Sequence, residues 1–502
     1  MAGVAVPPDG ALRMGTSRAR WVLLTTVLGS SLAMLDATVV NVALERIGTD
    51  LDAGFSDLQW TVNAYTLTLA SLILLGGSLG DRLGRRRVFV VGVVWFAAAS
   101  LLCGLAPDIR TLIAARALQG VGGALLTPGS LAIISASFHG SDRAAAVGAW
   151  SGLGGVAGAL GPFVGGWLVE WNWRLVFLLN LPLAVLIVVV AARHVPESRD
   201  PEAGGRLDWP GTVLVAVGLG ALTYALTAAG EPGRGPGIWV WAAAGLVALG
   251  AFVVVQRRSV SPLVPPALFR DAQFTAANAV TFVVYAALGV VFVLLVLHLQ
   301  VVSGFAPLLA GTALLPVTVL MLLFSARVGA LAQRIGPRLL MTAGPLVSAA
   351  GVLLMLRIGP DASYVVDVLP AAVLFGAGLT LLVAPLTATV LDSAADRFAG
   401  VASGVNNAVA RAAGLLAVAV VPAAAGLGGS DYTDPGAFGA GFRTAVLICA
   451  GLLVAGALIA LAYVRRPLAA EELPRRLHLE ECPHCGVTGP QLHPAGGGET
   501  GR

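Results

Sequence analysis

Two ionisable residues lie inside stretches of this sequence that are otherwise almost wholly apolar. Asp36 falls in the run 21–43, and Arg116 falls near the middle of the run 111–134. A charged side chain inside a bilayer costs about 2.5 to 3.5 kcal/mol on insertion scales, so such residues usually bind something. Burial favours the neutral form of an acid, whereas a nearby cation favours its charged form. An acid held between these two effects can take up and release a proton.

Asp36 and Arg116 are therefore predicted to couple a proton to another process. Arginine keeps its charge and needs a carboxylate, a carbonyl or water as a partner, and Asp36 is the nearest candidate in kind. Two structural alternatives stay open at this point. Asp36 could be a carboxylate hydrogen-bonded to Asn41 or to a neighbouring helix, and Arg116 could brace the fold through backbone carbonyls.

Other polar or aromatic residues within or beside the apolar runs are candidates to line a path for a solute. A mostly apolar cavity with one carboxylate would suit lipophilic, often cationic compounds. Arg411 shares its run with Asn406 and Asn407 but with no carboxylate, which favours packing or gating over proton transfer. The candidates for the path are Asn41, Asn63, Gln119, Tyr285, His298, Gln300, Asn407 and Arg411.

The composition predicts the elements that position these residues. The 502 residues are 57% hydrophobic and 12% charged, and the mean hydropathy is +0.86. About 20 helical residues cross a hydrocarbon core of about 30 Å, and continuous runs of that length recur along the chain. We predict an all-α polytopic membrane protein with fourteen transmembrane helices. The predicted spans are 21–43, 59–79, 88–106, 111–134, 144–168, 174–193, 209–229, 238–256, 275–298, 308–330, 339–357, 369–390, 399–424 and 442–464.

The arginines outside these spans predict the orientation. All 31 basic residues are arginines; 22 of them fall on the side that holds the N-terminus and six on the opposite side. Short cytoplasmic loops carry the excess of positive charge. We therefore predict an inner (plasma) membrane protein with both termini in the cytoplasm.

A loop sequence that occurs twice indicates an internal repeat. "GSLGDRLGRR", residues 77–86, recurs as "GALAQRIGPR", residues 329–338, after eight predicted spans. Each copy follows the second span of a group of six if the chain divides as six, two and six, the arrangement of transporter halves that rock about a midplane site. The predicted segments are an arm 1–20, a six-helix bundle 21–193, a linker with two further helices 194–274, a six-helix bundle 275–464 and a tail 465–502.

Several motifs resemble those of a known family. "GSLGDRLGRRR" resembles the loop motif of the major facilitator superfamily. "LDATVVNVAL", residues 35–44, resembles the first-span motif of its fourteen-span drug:proton antiporter branch, the multidrug and antibiotic efflux transporters. "RALQGVGGALLTPGS" from Arg116 is similar to the fourth-span motif, and "GLGGVAGALGPFVGGWL" to the fifth-span antiporter motif. "HLQVVSGFAPLLAGTALLP" and "GVASGVNNAVARAAG" look like signatures of the ninth and thirteenth spans.

This resemblance implies a major facilitator fold, with two six-helix bundles and two extra central helices. It implies a proton-transfer role for Arg116. It also implies a conformational latch that joins the halves on the cytoplasmic side in one state, formed by Gly77, Asp81, Arg82, Gly84, Arg85 and Arg86. The small residues of the fifth span allow close packing, and the proline allows a bend, although ordinary bundle packing would use them too. These antiporter-motif residues are Gly148, Gly161, Pro162, Gly165 and Gly166.

The implied function is a proton-coupled secondary active exporter of drug-like or antibiotic small molecules that works by alternating access. It is not an enzyme. An exporter of an endogenous metabolite, peptide or siderophore is the alternative among transporters, and a non-transporting membrane sensor is the alternative outside them. The expected partners are a lipophilic small molecule, protons and the bilayer, with no nucleic acid and a monomeric state.

No cofactor is expected, because a chain without lysine and without a phosphate-binding loop points to a proton gradient as the energy source. The tail contains one pattern of possible metal ligands, His478, Cys482, Cys485 and His493. Two cysteines and two histidines could hold Zn²⁺ tetrahedrally. Free reduced thiols are the favoured interpretation, and zinc binding is the alternative.

Overall fold

Long α-helices account for nearly all of the chain in the computed structural model. The structure describes residues 12–199, 207–231, 235, 237–259, 262–394, 399–428 and 434–464. Within this part of the chain no β-strand occurs. The tail with its two cysteines and two histidines lies outside the described residues.

The first bundle is formed by seven helices, of which the last two make one interrupted span. They are α1 (Ser17–Asp50), α2 (Phe55–Leu83), α3 (Arg85–Gly104), α4 (Ile109–Ser137), α5 (Gly140–Trp171), α6 (Leu175–Leu178) and α7 (Asn180–His194). Two central helices follow, α8 (Trp209–Ala229) and α9 (Ile238–Arg258).

The second bundle repeats this plan with its own short insertions. Its helices are α10 (Ala272–Val301), α11 (Pro307–Thr312), α12 (Leu315–Ile335), α13 (Pro337–Leu354), α14 (Leu369–Asp392), α15 (Ala399–Ala424) and α16 (Pro435–Tyr463). Short 3₁₀ turns precede α10 and follow α13, and a π-helical turn, Tyr364–Val368, leads into α14.

Thirteen helices of the described chain are long and apolar enough to cross a membrane. Each overlaps one of the predicted spans, counting α6 with α7 and α11 with α12 as single spans. The remaining predicted span, 144–168, is occupied by α5, a helix of 32 residues with several side chains outside the described set. The predicted all-α, polytopic architecture is confirmed.

The same helix pairs pack against each other in both bundles. In the first, α1 packs on α5 and α7, α4 on α2 and α3, and α3 on α7. In the second, α10 packs on α15 and α16, α14 on α12 and α13, and α13 on α16. The internal repeat seen in two short loops therefore extends to the packing of whole bundles. The residue limits predicted for the five segments stay predictions.

Polar caps and glycines set the ends of these helices. Asp108, Asp208 and Asp271 accept hydrogen bonds from backbone N–H groups three residues later and so begin α4, α8 and α10. Gly84 and Gly336, equivalent in the loop repeat, both have left-handed backbone, with φ of 116° and 86°. Each glycine ends one helix and begins the next, so the sequence repeat is also a backbone repeat.

The central helices pack beside the two bundles. α8 contacts α2 of the first bundle and α15 of the second, while α9 packs mainly on α8. Tyr224 of α8 lies between Trp60 of α2 and Trp241 of α9, with ring centroids 6.5 Å and 5.5 Å away. The hairpin thus lies across the α2–α15 contact.

Candidate functional site

The two ionisable residues singled out in the sequence form a buried ion pair. Arg116 Nη1 donates to Asp36 Oδ2 over 2.5 Å, and both side chains are at most 1% exposed. α1 and α4 bring them together inside the first bundle. Arg116 Nε also donates to the carbonyl of Thr61 on α2, over 3.0 Å. The ion pair and the bracing role considered for Arg116 are therefore both present.

Three neutral side chains complete the shell of the carboxylate. Asp36 Oδ1 accepts hydrogen bonds from Gln119 Nε2 over 2.7 Å and from Asn180 Nδ2 over 3.1 Å. Both amides also donate to Ser100 Oγ, at 2.8 Å and 3.2 Å. Gln119 Oε1 accepts from Arg116 Nη1 over 2.6 Å. These five residues form the network referred to below as the Asp36 network.

The Asp36 network is arranged for an ionised carboxylate. An ionised carboxylate accepts hydrogen bonds only, and every described partner of Asp36 donates an N–H to it. A protonated Asp36 would need an acceptor for its own O–H, so at least one donor would have to move. Aromatic rings enclose the cation, with Arg116 Cζ 4.4 Å from the centroid of Tyr65 and 5.8 Å from that of Phe177.

Sequence reasoning did not assign Ser100 or Asn180 to this site. Asn180 interrupts the apolar run 174–193 and begins α7, and this polar interruption was the available signal. Ser100 gives none, because a serine that bonds its own helix is common in apolar helices. Asn41, considered as a partner for Asp36, lies elsewhere: its Oδ1 is buried and has no partner among the described residues.

The arginine-rich loop between α2 and α3 is tied to the chain that follows α7. Asp81 Oδ1 accepts from Arg85 Nε and Nη2, each over 2.8 Å. Arg86 donates through its backbone N–H to Glu197 Oε1 over 3.1 Å and through Nη1 to the carbonyl of Val195 over 3.0 Å. Glu197 also lies 3.7 Å from Arg87 Nε. In this conformation these contacts hold one bundle together.

The two glycines of this loop motif have different surroundings. A Cβ at Gly84 would lie 2.7 Å from Glu197 Oε1, and its φ of 116° adds strain for any side chain. A Cβ at Gly77 would lie 3.6 Å from Pro128 Cβ, an ordinary contact. The helix that leads into this loop, α2, contacts the second bundle, because its Leu74 lies against Gly404 of α15. Arg82 is half-buried and has no hydrogen-bond or ion-pair partner in the described chain.

The glycines of α5 lie on seams with two different helices. Gly161 packs on Thr38 of α1, and a Cβ at Gly165 would lie 3.0 Å from Val39 Cα. Gly166 faces the second bundle instead, where a Cβ would lie 2.5 Å from Leu308 Cα of α11.

Two further members of the antiporter motif differ in their contacts. The carbonyl of Pro162 faces Gly311 of α11, so this part of α5 also meets the second bundle. Gly148 is exposed, and a Cβ there would meet nothing within 4 Å. The part of α5 near Pro162 therefore forms a joint between the two bundles.

A pocket lies between the bundles beside this joint. It has an empty volume of about 440 Å³, and Asn41 contributes its main polar group beside two threonines, Thr38 and Thr318. The apolar part of its wall comes from Val42, Pro162, Phe292, Val296, Leu314 and Val317, with Gly158 completing it. A mostly apolar cavity with a few polar groups is typical of a small-molecule site.

The other path candidates occupy several different environments. Gln300 Nε2 donates to the carbonyl of Val42 over 3.2 Å and so joins the two bundles. His298 is buried within the second bundle, stacked 3.9 Å from Phe442 with Nε2 3.1 Å from the carbonyl of Ile358. Asn63 is buried, and neither polar atom of its amide has a partner among the described residues.

The polar residues of α15 divide between two faces. Asn406 donates to Thr281 Oγ1 over 2.8 Å and to Asn278 Oδ1 over 3.2 Å, which fixes α15 on α10. Arg411 Nε donates to Asn407 Oδ1 over 2.9 Å on the same helix. Tyr285 of α10 is half-buried and lies beside α15, with its carbonyl oxygen 3.8 Å from a Cβ placed at Gly414.

Free thiols and metal ligands are sparse in the described chain. Cys103 and Cys449 are buried and free, and no group of three or more His, Cys, Asp or Glu among the described residues could hold a metal ion. The predicted zinc ligands of the tail lie outside this part.

Two repeated six-helix bundles, a buried ion pair in one of them and a pocket between them define a multi-pass membrane transporter of small molecules, and not an enzyme. The model of the Major Facilitator Superfamily matches residues 26–418. The chain belongs to this superfamily, as its motifs predicted.

Curated relatives and solved structures agree with this assignment. The puromycin resistance protein pur8 of Streptomyces alboniger is 35% identical over 484 residues, 93% of this chain and 96% of that protein. A probable actinorhodin transporter of Streptomyces coelicolor is 36% identical over 435 residues, 83% of this chain and 75% of that protein. A crystal structure of a peptide transporter in complex with sulfate aligns with a TM-score of 0.65 at 16% identity, covering 90% of this chain and 96% of that one.

Proposed function

We propose that this protein is a proton-coupled exporter of antibiotic or drug-like small molecules, with Asp36 as the proton carrier. The observation that carries the proposal is the Asp36–Arg116 ion pair, which is fully buried inside one bundle and in which both carboxylate oxygens of Asp36 accept hydrogen bonds. One relative is described as a puromycin resistance protein and another as a tetracenomycin C resistance and export protein, and both support export as the direction of transport.

The Asp36 network supports a two-state cycle. Ionised Asp36 holds Arg116, Gln119 and Asn180 in one arrangement, and thereby links α1, α4 and α7. Protonation removes the charge that attracts Arg116 and introduces an O–H that needs an acceptor. The helices that share the network then favour a second arrangement. Taking up a proton in one state and releasing it in the other would couple the proton gradient to the motion.

Contacts between the bundles support alternating access about α5. At the end of the bundles opposite the arginine-rich loop, Gln59 Nε2 donates to the carbonyl of Val418 over 2.7 Å, and Gln300 donates to that of Val42. The α5–α11 seam at Gly166 lies toward the same end. Breaking these contacts would open the pocket beside Asn41 to that side, while the opposite motion would close it.

The arginine distribution supports an orientation in the plasma membrane with both termini in the cytoplasm. The arginine-rich loop then faces the cytoplasm, and the Gln59 and Gln300 contacts close the outer side. In this orientation the loop of Asp81, Arg85 and Arg86 acts as the conformational latch on the cytoplasmic side. A monomer suffices for the cycle, since both bundles belong to one chain.

The proposal is tested in inside-out membrane vesicles that carry the parent or the Asp36→Asn variant. With an imposed pH gradient, acid inside, the uptake of methylenomycin A, for which two relatives are described as resistance proteins, is measured at equal expression. Asp108→Asn is the matched control. Hydrogen bonds from the backbone and hydroxyl of Thr111 hold the pKa of Asp108 below its ordinary value, so this exposed residue stays ionised at neutral pH and carries no proton.

Gradient-driven uptake by the parent and by Asp108→Asn, but not by Asp36→Asn, is the expected result. Equal gradient-driven uptake by Asp36→Asn and the parent would remove Asp36 from the coupling role. Uptake by the parent that ignores the pH gradient would contradict proton coupling altogether.

A further inference from the structure

Arg411 occupies the middle of the contact between the two bundles. It lies at the midpoint of α15, a helix of 26 residues. α15 and α2 run in opposite directions and touch near both ends, at Gln59–Val418 and at Leu74–Gly404. These two contacts place Arg411 at about the level of Tyr65 on α2. Tyr285 of α10 lies beside the same part of α15, because its carbonyl oxygen is 3.8 Å from a Cβ placed at Gly414.

The guanidinium of Arg411 has little within the protein to neutralise it. Its only hydrogen bond to a described residue is the one from Nε to Asn407 Oδ1, which leaves the four N–H groups of the two terminal nitrogens unused. No carboxylate of the described chain lies within ion-pair distance of this guanidinium. Arg411 is half-buried and Asn407 is exposed, so a solute can reach them.

The nearby carboxylate of the Asp36 network does not compensate for this charge. Both oxygens of Asp36 are already bound by donors of the first bundle, and its charge balances Arg116, whose guanidinium stacks on the ring of Tyr65. Of the two arginines, Arg116 is paired with Asp36, whereas Arg411 is paired with no carboxylate of the described chain. The centre of the protein has one positive charge in excess, held on the bundle that lacks the proton site.

We propose that Arg411, with Asn407, binds the acidic group of the transported substrate, and that the substrate class is lipophilic organic acids that carry a carboxylate. A planar guanidinium with free N–H groups on both terminal nitrogens matches a carboxylate in a bidentate geometry. The half-buried side chain of Tyr285 provides an amphipathic surface for the rest of such a molecule. This inference deepens the proposed export function, and it reverses the cationic substrate expected from the sequence.

Binding of two matched probes tests the charge preference. The probes are 1-pyrenebutyrate and its uncharged amide, which differ only in the acidic group. Equilibrium dialysis against the full chain in lipid nanodiscs, with empty nanodiscs subtracted, gives both affinities without any proton gradient. Failure of the proposed proton coupling would appear in the vesicle experiment and leave this contrast intact, so the two failures are distinguishable.

The parent is expected to bind the carboxylate about 10- to 100-fold more tightly than the amide, the range of a charge-assisted hydrogen-bonded pair. Arg411→Gln should abolish the preference, and Arg411→Lys should keep part of it because the charge remains. Arg443→Gln is the control: it removes one arginine from an exposed position of α16 in the same bundle and should leave the preference unchanged.

Equal binding of the two probes by the parent, including equally undetectable binding, overturns the proposal. A preference that persists in Arg411→Gln also overturns it and leaves Arg411 with a packing or gating role. The comparison of acid with amide in the parent needs no variant, so the proposal stays falsifiable even if Arg411→Gln does not fold.

Discussion

At the scale of single residues, the Asp36–Arg116 pair stabilises the fold only while both charges are present. Removing one partner of a buried ion pair leaves an uncompensated charge, whereas replacing both partners by neutral groups removes the desolvation cost as well. The pair joins α1 to α4, and Gln119 and Asn180 extend the link to α7. A role in coupling explains why a costly pair would be kept where an apolar contact would hold the helices together.

Arg116→Ala is expected to lower the free energy of unfolding by about 3 to 5 kcal/mol, because Asp36 would stay buried without its cation. The double variant Asp36→Asn with Arg116→Gln is expected to recover most of that stability, since both charges are then gone. Thermal unfolding of the purified chain in detergent measures both effects. A double variant as unstable as Arg116→Ala would mean that hydrogen-bond geometry, and not charge, holds this site together.

The sequence predicted the two charged residues of the site, and it indicated Gln119 only as a candidate for the substrate path; it did not assign Ser100 or Asn180 to the site. A charge in an apolar run is conspicuous, so Asp36 and Arg116 could be found from residue type alone. Ser100 and Asn180 acquire their roles only because α3 and α7 bring them to the carboxylate. The same limit explains Arg411: its lack of a counter-ion depends on which helices surround α15, and no pattern along the chain gives that.

At the scale of helices, alanine substitutions at Gly84 and Gly77 test whether backbone geometry or side-chain packing requires a glycine in the loop motif. Gly84→Ala is expected to destabilise the protein by about 1 to 3 kcal/mol, because a left-handed φ strains alanine and the new methyl group meets Glu197. Gly77→Ala, in the same motif, is expected to change stability little, since its Cβ makes an ordinary contact. Unfolding midpoints of the two variants provide the comparison. Equal losses would contradict the role given to the backbone of Gly84.

The joint between α5 and α11 gives a second prediction at this scale. Gly166→Ala places a methyl group 2.5 Å from Leu308 Cα and is expected to separate the bundles slightly, at a cost of about 1 to 3 kcal/mol. Transport should fall with it, because the seam joins the two bundles. Gly148→Ala, at an exposed position with no neighbour within 4 Å, is the control and should retain parental flux. Parental flux in Gly166→Ala would place the moving joint elsewhere.

Most helices could be predicted because each span is a long apolar run between polar ends. The interruptions could not be predicted so well: α6 and α7 form one predicted span, 174–193, and α11 leads into α12 within another, 308–330. Such breaks depend on local backbone geometry and on packing, as at α11, where Leu308 meets Gly166 and Gly311 meets Pro162. Apolar periodicity carries no signal for them.

At the scale of the whole molecule, the distribution of arginines predicts that the C-terminus lies in the cytoplasm. A green fluorescent protein fused after Arg502 is expected to be fluorescent, because it folds to its fluorescent form in the bacterial cytoplasm. An alkaline phosphatase fusion at the same position, active only after export, is expected to be inactive. The reverse pattern would contradict the predicted orientation and would place the Gln59 and Gln300 contacts on the cytoplasmic side.

The repeat of the two bundles was visible in the sequence only at one loop, whereas the structure extends it to the packing pairs of the long helices within the two bundles. The bundles are alike in helix packing but not in chemistry. The first holds a neutralised ion pair, and the second holds Arg411 without a carboxylate. Under the proposed function, the first bundle carries the proton and the second contacts the substrate.

The most direct measurement of the central claim is an infrared difference titration of the purified chain in lipid, from mildly alkaline to mildly acidic conditions. We predict a protonated-carboxyl C=O band that grows as the pH falls, that is missing from Asp36→Asn and that persists in Asp108→Asn. Identical difference spectra for Asp36→Asn and the parent would mean that Asp36 stays ionised throughout, and would contradict its role as the proton carrier.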